Sequence, residues 1–336
     1  MLQMILNPAR FTLRPHGILL SAALLLATHP AFAQYASDAY TARALALGGA
    51  VRALATDTTA LEMNPAAIAT FGDYELEGGY RFFPAQRGHQ YRFGIIDNVT
   101  SRIASGLSYT IDSADAIPGP PRTGWTLLGE DPTPIEAWRS QDYILGFALP
   151  FSLASVGTSL IWHRFKQGDA DELDAINLQS LFTFTLGAVL KPSDFFQVAL
   201  VGTNLIPTGR SERPTTLGFG FGAWLKSYAA GGVDVSADFT GKKDESKADT
   251  WDKSFIRINI NVGGQLVFWQ FLPVRLGYYT EGATNARYLT TGTGIEAGRL
   301  RLSYGLRYQL AAPDLNRSDR FFHSFMLGLR FSPTAL

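Results

Sequence analysis

From Gly72 onward, apolar and polar positions trade places every second residue, the period of a strand with two unlike faces. Between 255 and 265, Ile256, Ile258, Ile260 and Val262 fall on one side, and Arg257, Asn259, Asn261 and Gly263 on the other. Between 300 and 308, Leu302, Tyr304, Leu306 and Tyr308 oppose Arg301, Ser303, Gly305 and Arg307. The final run sets Phe325, Leu327, Leu329 and Phe331 against Met326, Gly328 and Arg330. Runs of this kind predict strands at Asp73–Phe83, His89–Asp97, Arg102–Ile111, Gln141–Leu149, Ser152–Phe165, Ile176–Leu190 and Asp194–Leu205. Others are predicted at Pro214–Leu225, Gly231–Thr240, Ser254–Phe268, Phe271–Thr280, Tyr288–Ala297, Arg299–Leu310 and Arg320–Phe331. Their connections alternate between tight (Pro150-Phe151, Lys191–Ser193, Gln270, Gly298) and longer (Asp112–Ser140, Lys166–Ala175, Ile206–Arg213, Gly241–Lys253, Glu281–Arg287, Ala311–Asp319). Short periplasmic turns alternating with longer outer loops are the signature of a membrane barrel; the pattern predicts an all-β transmembrane barrel of about 14 antiparallel strands. Only the connection Pro84–Gly88 is short where an outer loop is expected.

One stretch breaks the two-residue period. Ala42–Thr70 is rich in Ala and Leu, both strong helix formers, up to Leu54. Gly48-Gly49 interrupts the run with bare backbone that allows a close approach to another element. Asp57 or Thr58 is placed to cap a second short helix, Thr59–Met63. Asn64-Pro65 stops it, because a residue before proline is pushed out of the helical region. A barrel of this strand number has a lumen wider than its own side chains fill, so this stretch is expected to plug it. Asn64-Pro65-Ala66 is expected to anchor the plug beside the first strand, with Pro65 fixing the backbone and Asn64 bonding it locally.

Ahead of the plug, Arg10 and Arg14, the apolar run Gly17–Ala27 and the small-x-small site Ala31-Phe32-Ala33 form a secretory signal; the mature chain is expected to begin at Gln34. The expected organisation is therefore a signal at 1–33, a plug at 34–72 and a barrel at 73–336. The chain has no Cys, which removes disulfides and thiolate chemistry. The net charge is zero, which argues against nucleic acid as a partner. Charged residues make up 17%, below the usual quarter, as suits a chain with a lipid-facing surface.

The run GGAVRALATDTTALEMNPAAIA resembles the N-terminal hatch of the FadL/PorV superfamily of outer-membrane barrels. The matching positions are Gly48, Gly49 and Ala50, then Asp57, then Asn64, Pro65 and Ala66. Glu62-Met63 stands where the family has an aromatic residue, and Ala67 where it has Gly. Val201–Leu205 followed by Arg213–Gly218, and the strand Leu272–Tyr279, resemble PorV-like strands. The resemblance spans roughly Ala42 to Phe331 and implies a hatch in the lumen of a barrel in the outer membrane of a Gram-negative-type bacterium. Two functions follow from it as expectations. One is passive transport of hydrophobic small molecules, as on the FadL side. The other is a PorV-like docking or structural role serving a secretion system or surface-protein attachment. Expected partners are outer-membrane lipid and either a hydrophobic small molecule or a secreted or surface protein.

Several residues are candidates for these roles. By strand parity Glu75, Glu77, Asp234, Asp238 and Glu296 face the lumen with Arg257, Arg275, Arg301, Arg307 and Arg330. They form either an ion or solute path or an internal network that pairs with itself and with Arg43 and Arg52 of the hatch, since buried charges must be paired. Gly218, Gly220 and Gly222 alternate on one strand and read as a seat for the hatch or as simple curvature. In the longest loop, Trp125, Leu127, Leu128 and Trp138 either capture an apolar solute or partner, or pack a small core on the rim. No catalytic constellation appears, so no enzyme activity, metal or cofactor is expected. The five His residues are scattered, and His163, beside Trp162, reads as an interface residue.

Overall fold

A computed structural model describes residues 41–70, 72–83, 88–114, 138–167, 179–206, 215–239, 242–243, 251–252, 256–281, 286–311 and 321–332. The expected signal, and Trp125, Leu127 and Leu128 of the expected capture loop, lie outside the described residues. The strands are β1 (Tyr74–Phe83), β2 (Gly88–Asp97), β3 (Ala104–Ala114), β4 (Trp138–Pro150), β5 (Ala154–Gln167), β6 (Gln179–Ser193), β7 (Phe196–Thr203) and β8 (Thr216–Leu225). They continue with β9 (Ala229–Asp238), β10 (Lys242–Lys243), β11 (Trp251–Asp252), β12 (Arg257–Phe268), β13 (Leu272–Glu281), β14 (Ala286–Ala297), β15 (Leu300–Ala311) and β16 (Phe321–Phe331). All but β10 and β11 join in one closed antiparallel barrel of 14 strands, sealed where β1 meets β16 with Tyr74 opposite Phe331. Closure leaves no unpaired sheet edge for lipid to meet.

The parity read from sequence holds. Ile256, Ile258, Ile260 and Val262 are exposed on the outer wall, as are Leu302, Phe325 and Leu327. Arg257, Asn261, Arg301, Ser303 and Met326 are buried inside. An apolar outside and a polar inside are what a membrane barrel needs. Tight turns close one end; Lys226, Trp269, Gln270 and Gly298 take left-handed backbone there.

Two expected loops need correction. Asp112 and Ser140 are not loop ends, because β3 and β4 run on to Ala114 and Trp138, which face each other across the ladder. The polar residues there are inward strand positions; the Ser140 hydroxyl donates to Asp112 Oδ2 at 3.1 Å. Trp138 is thus the first residue of a strand. The expected loop Gly241–Lys253 carries the small ribbon β10–β11, with Lys243 opposite Trp251.

The helical stretch is broken at Gly48-Gly49, as expected. The run to Leu54 is not one helix: it ends after Ala42–Ala46, capped by the Thr41 hydroxyl, which accepts from Ala44 N at 3.2 Å. Gly48 and Gly49 then take φ of 62° and 70°, which terminates the helix as left-handed glycines do. A second helix, Ala60–Met63, leads into a 3-10 turn over Pro65–Thr70. Asn64 between them is extended, as a residue before proline must be. This hatch is the core of the molecule. Ala53, Leu61 and Ile68 pack against Ile96, Ile144, Ile161 and Val189 of the wall.

Candidate functional site

The hatch is seated on glycine. Gly222, Gly232, Gly263 and Gly277 face one another in register across β8, β9, β12 and β13. A methyl group at Gly263 would overlap the Leu47 carbonyl, and one at Gly222 would lie 2.8 Å from Leu54 Cδ2. The same holds at Gly218 and Gly220, where Arg52 lies against the wall, so this stripe is a seat for the hatch. Gly48 returns the fit from the hatch side, since a methyl there would stand 2.7 Å from Tyr278 N. Asn64-Pro65-Ala66 does not lie beside the first strand, as the anchor was expected to. It sits against β5 and β6, where a methyl at Gly157 would meet Ala66 N at 2.6 Å and one at Gly187 would overlap Asn64 Oδ1. Asn64 does bond local backbone: its Nδ2 donates to Arg52 O at 2.7 Å, and its Oδ1 accepts from Ala66 N at 3.2 Å.

Polar latches hold the hatch around much of the wall. Thr58 donates from its N and its hydroxyl to Glu77 Oε2, at 2.8 and 2.5 Å. Arg92 bridges Glu62 at 2.9 Å and Thr58 O at 3.0 Å. Asp234 accepts from Arg52 N at 2.8 Å; Asn261 donates to Gly49 O and Thr290 to Ala46 O, both at 3.2 Å. Gln197 donates to Ala53 O, and Ser155 to Ala66 O at 2.8 Å. Every buried backbone group so met escapes the cost of an unsatisfied polar atom.

At the end with the short turns, several of the expected lumen charges gather into one network. Arg301 pairs with Glu75 at 2.7 Å and reaches Glu77 at 3.9 Å; Arg330 meets Glu75 at 3.5 Å and Asp73 at 3.3 Å. Arg301 and Arg330 both donate to Thr56 O of the hatch, at 3.3 and 3.2 Å. Arg275 pairs with Glu296 at 2.8 Å. These charges therefore pair with one another and with hatch backbone, while Asp234, Asp238, Arg257 and Arg307 lie outside this cluster. Of the two hatch arginines, Arg52 meets Asp234 at 3.6 Å, whereas Arg43 donates to Leu54 O within the hatch. Burial pushes the Asp57 carboxyl up, but Arg43, Arg301 and bonds from Thr59 and Thr41 outweigh it and hold it below its ordinary value.

Toward the other end, Arg307 donates to Tyr279 Oη at 2.7 Å and lies 4.3 Å from the Phe322 ring centre and 4.7 Å from that of Tyr288. Arg257 faces Asp238 across the β12–β9 ladder. His163 corrects the sequence reading. It is not an outward interface residue; Trp162 faces outward while His163 is buried in the lumen, with Nδ1 2.5 Å from Asp142 Oδ1. Alternation alone distinguishes the two neighbours, but nothing local in sequence marks Asp142 as the partner.

Several solved structures share this fold. A Pseudomonas aeruginosa FadL homologue superposes with a TM-score of 0.61 over 89% of this chain and 100% of its own, at 12% identity. The P. putida toluene transporter TodX gives 0.59 over 87% and 96%, at 12% identity. The monoaromatic hydrocarbon channel CymD gives 0.60 over 86% and 96%, at 11% identity. The chain has the FadL-type barrel fold. At such low identity the FadL-type likeness lies in the fold, over most of the chain. No family model and no curated protein matches the sequence.

Proposed function

We propose that this protein is an outer-membrane channel for passive passage of hydrophobic small molecules, with the hatch as the barrier in its lumen. The observation that carries the reading is a closed barrel whose lumen is occupied by a buried, close-fitting hatch. An open water-filled porin has no use for such a seat. A channel that must exclude ions yet admit apolar solutes does, because the apolar hatch–wall contacts around Leu61, Ile68 and Ile144 exchange readily for contacts with an apolar solute. The likeness in fold to proteins described as toluene transporters and monoaromatic hydrocarbon channels supports the same solute class. The test is uptake of toluene into liposomes carrying the purified protein. Entry faster than into empty liposomes, with no ion current through the intact protein, is expected. Entry at the empty-liposome rate overturns the reading and leaves a docking role as the alternative.

A further inference from the structure

The hatch is not held evenly. Its hydrogen bonds reach β1, β2, β7, β9, β12, β14, β15 and β16, but among the described residues only Ser155 supplies one from β3–β6. That same quarter of the wall presents buried polar groups with no hydrogen-bond partner: the hydroxyls of Ser108, Thr110, Ser159 and Thr185, and Nε2 of His163. All five residues are at least nine-tenths buried. They face inward, since their chain neighbours Leu107, Leu160, Trp162 and Leu186 are exposed on the outer wall. Ladder pairing makes them one patch. Thr110 faces Asp142, Asp142 faces His163, Ser108 faces Ile144, and Ser159 faces Thr185. With strands about 4.8 Å apart, β3 to β6 span roughly 15 Å. Native proteins leave few buried polar atoms unmet, so five in one patch call for an occupant.

We infer that this seam between hatch and wall binds the hydroxyl group of a neutral, otherwise apolar solute. The inference rests on the transport reading and narrows its solute class. A hydroxyl fits because it both donates and accepts, and so do the serine and threonine hydroxyls that await it. The Asp142 carboxylate takes the Nδ1 side of His163 and so directs Nε2 at the seam. Charged groups near the seam are already engaged: Asp142 by His163, Asp112 by Gln90 and Ser140, and Arg92 by Glu62. An ionised solute would find no counter-charge to pair with there. Ile144 and Ile161, in the same patch, pack against Leu61 and Ile68 of the hatch, and the body of the solute would exchange these apolar contacts for its own.

Two probes of nearly equal size separate the possibilities: p-cresol, which carries a hydroxyl, and toluene, which does not. Titration of the intact protein in detergent is expected to show p-cresol bound about tenfold more tightly, the worth of one or two net hydrogen bonds. The double variant Ser159→Ala, Thr185→Val removes only unpartnered hydroxyls and should fold as the parent does, while losing most of that preference. The imidazole nitrogen resonance of His163, assigned by its absence in His163→Gln, should move with p-cresol and stay still with toluene. Equal affinities with an unmoved resonance overturn the inference and mean that water alone fills the seam. Toluene entering liposomes without any preference for p-cresol defeats the inference but leaves the transport reading standing. Neither probe entering defeats both.

Discussion

At Gly263 a single methyl group decides whether the hatch fits. Its added Cβ would overlap the Leu47 carbonyl and carbonyl carbon, which are backbone atoms and cannot rotate aside. Gly264, one residue on, meets nothing nearer than Ala230 O at 3.7 Å. Gly263→Val is therefore expected to destabilise the protein by about 1–3 kcal/mol or more through overpacking. Gly264→Ala should stay within about 0.5 kcal/mol of the parent. Urea unfolding in lipid vesicles measures both, and equal midpoints would mean that Leu47 does not press on Gly263. The glycine stripe at 218, 220 and 222 was legible as a row of missing side chains, which left a seat for the hatch and simple curvature as the two readings. Sequence shows that nothing projects from those positions; only the fold shows Arg52 and Leu54 filling the space. His163 is the converse case. Its inward parity was readable beside Trp162, yet its partner Asp142 stands on the strand before the tight turn at Pro150-Phe151, and which residues that hairpin pairs depends on its exact register, which alternation alone does not set.

The strands were the most legible elements because each carries its own period, and the errors fall where that period is blurred. A polar lumen makes an inward residue look like a loop residue, which is why Asp112–Ala114 and Trp138–Ser140 escaped notice as strand. The hatch was harder. Its helices are too short to hold by propensity alone and exist because the wall packs and bonds them. The anchor Asn64-Pro65-Ala66 was recognisable as a turn, but its seat on Gly157 and Gly187 depends on where the chain travels after Gly49. The outer face gives a prediction at this scale. Leu276, midway along β13, is 60% exposed on the lipid-facing side, while its neighbour Gly277 lies under the hatch. Leu276→Arg places a charge near the bilayer midplane and should cost about 2–4 kcal/mol. The same substitution at Leu272, at the end of the strand by the turn, should cost about 0–1 kcal/mol, as expected close to the interface. Equal losses in vesicle unfolding would mean that β13 does not span the membrane as described.

For the whole molecule, the question is whether barrel and hatch are one cooperative unit or a wall with a removable stopper. The ladder closes on itself from β1 to β16 without any hatch residue in it, so the wall's backbone bonds do not depend on the hatch. The hatch depends on the wall for nearly everything, from its glycine seat to its latches on Asp234, Asn261 and Thr290. Its two halves sit differently. The half before Thr56 lies on the glycine row of β8–β13, and the half after it packs around Leu61 and Ile68 against β4 and β5. Deleting 34–60 removes the first half and keeps the Asn64-Pro65-Ala66 anchor on β5 and β6. The deleted protein should still assemble as a heat-resistant barrel, because every strand pair survives. It should lose the side of the plug facing β8 to β15, where buried Asp234, Asn261 and Arg257 would then line water. Planar bilayers should record stepwise ion currents through the deleted form and none through the intact one. Equal currents would mean that residues 34–60 do not close the lumen. Assembly failure would mean that the wall needs the hatch to fold, so that barrel and hatch are one unit.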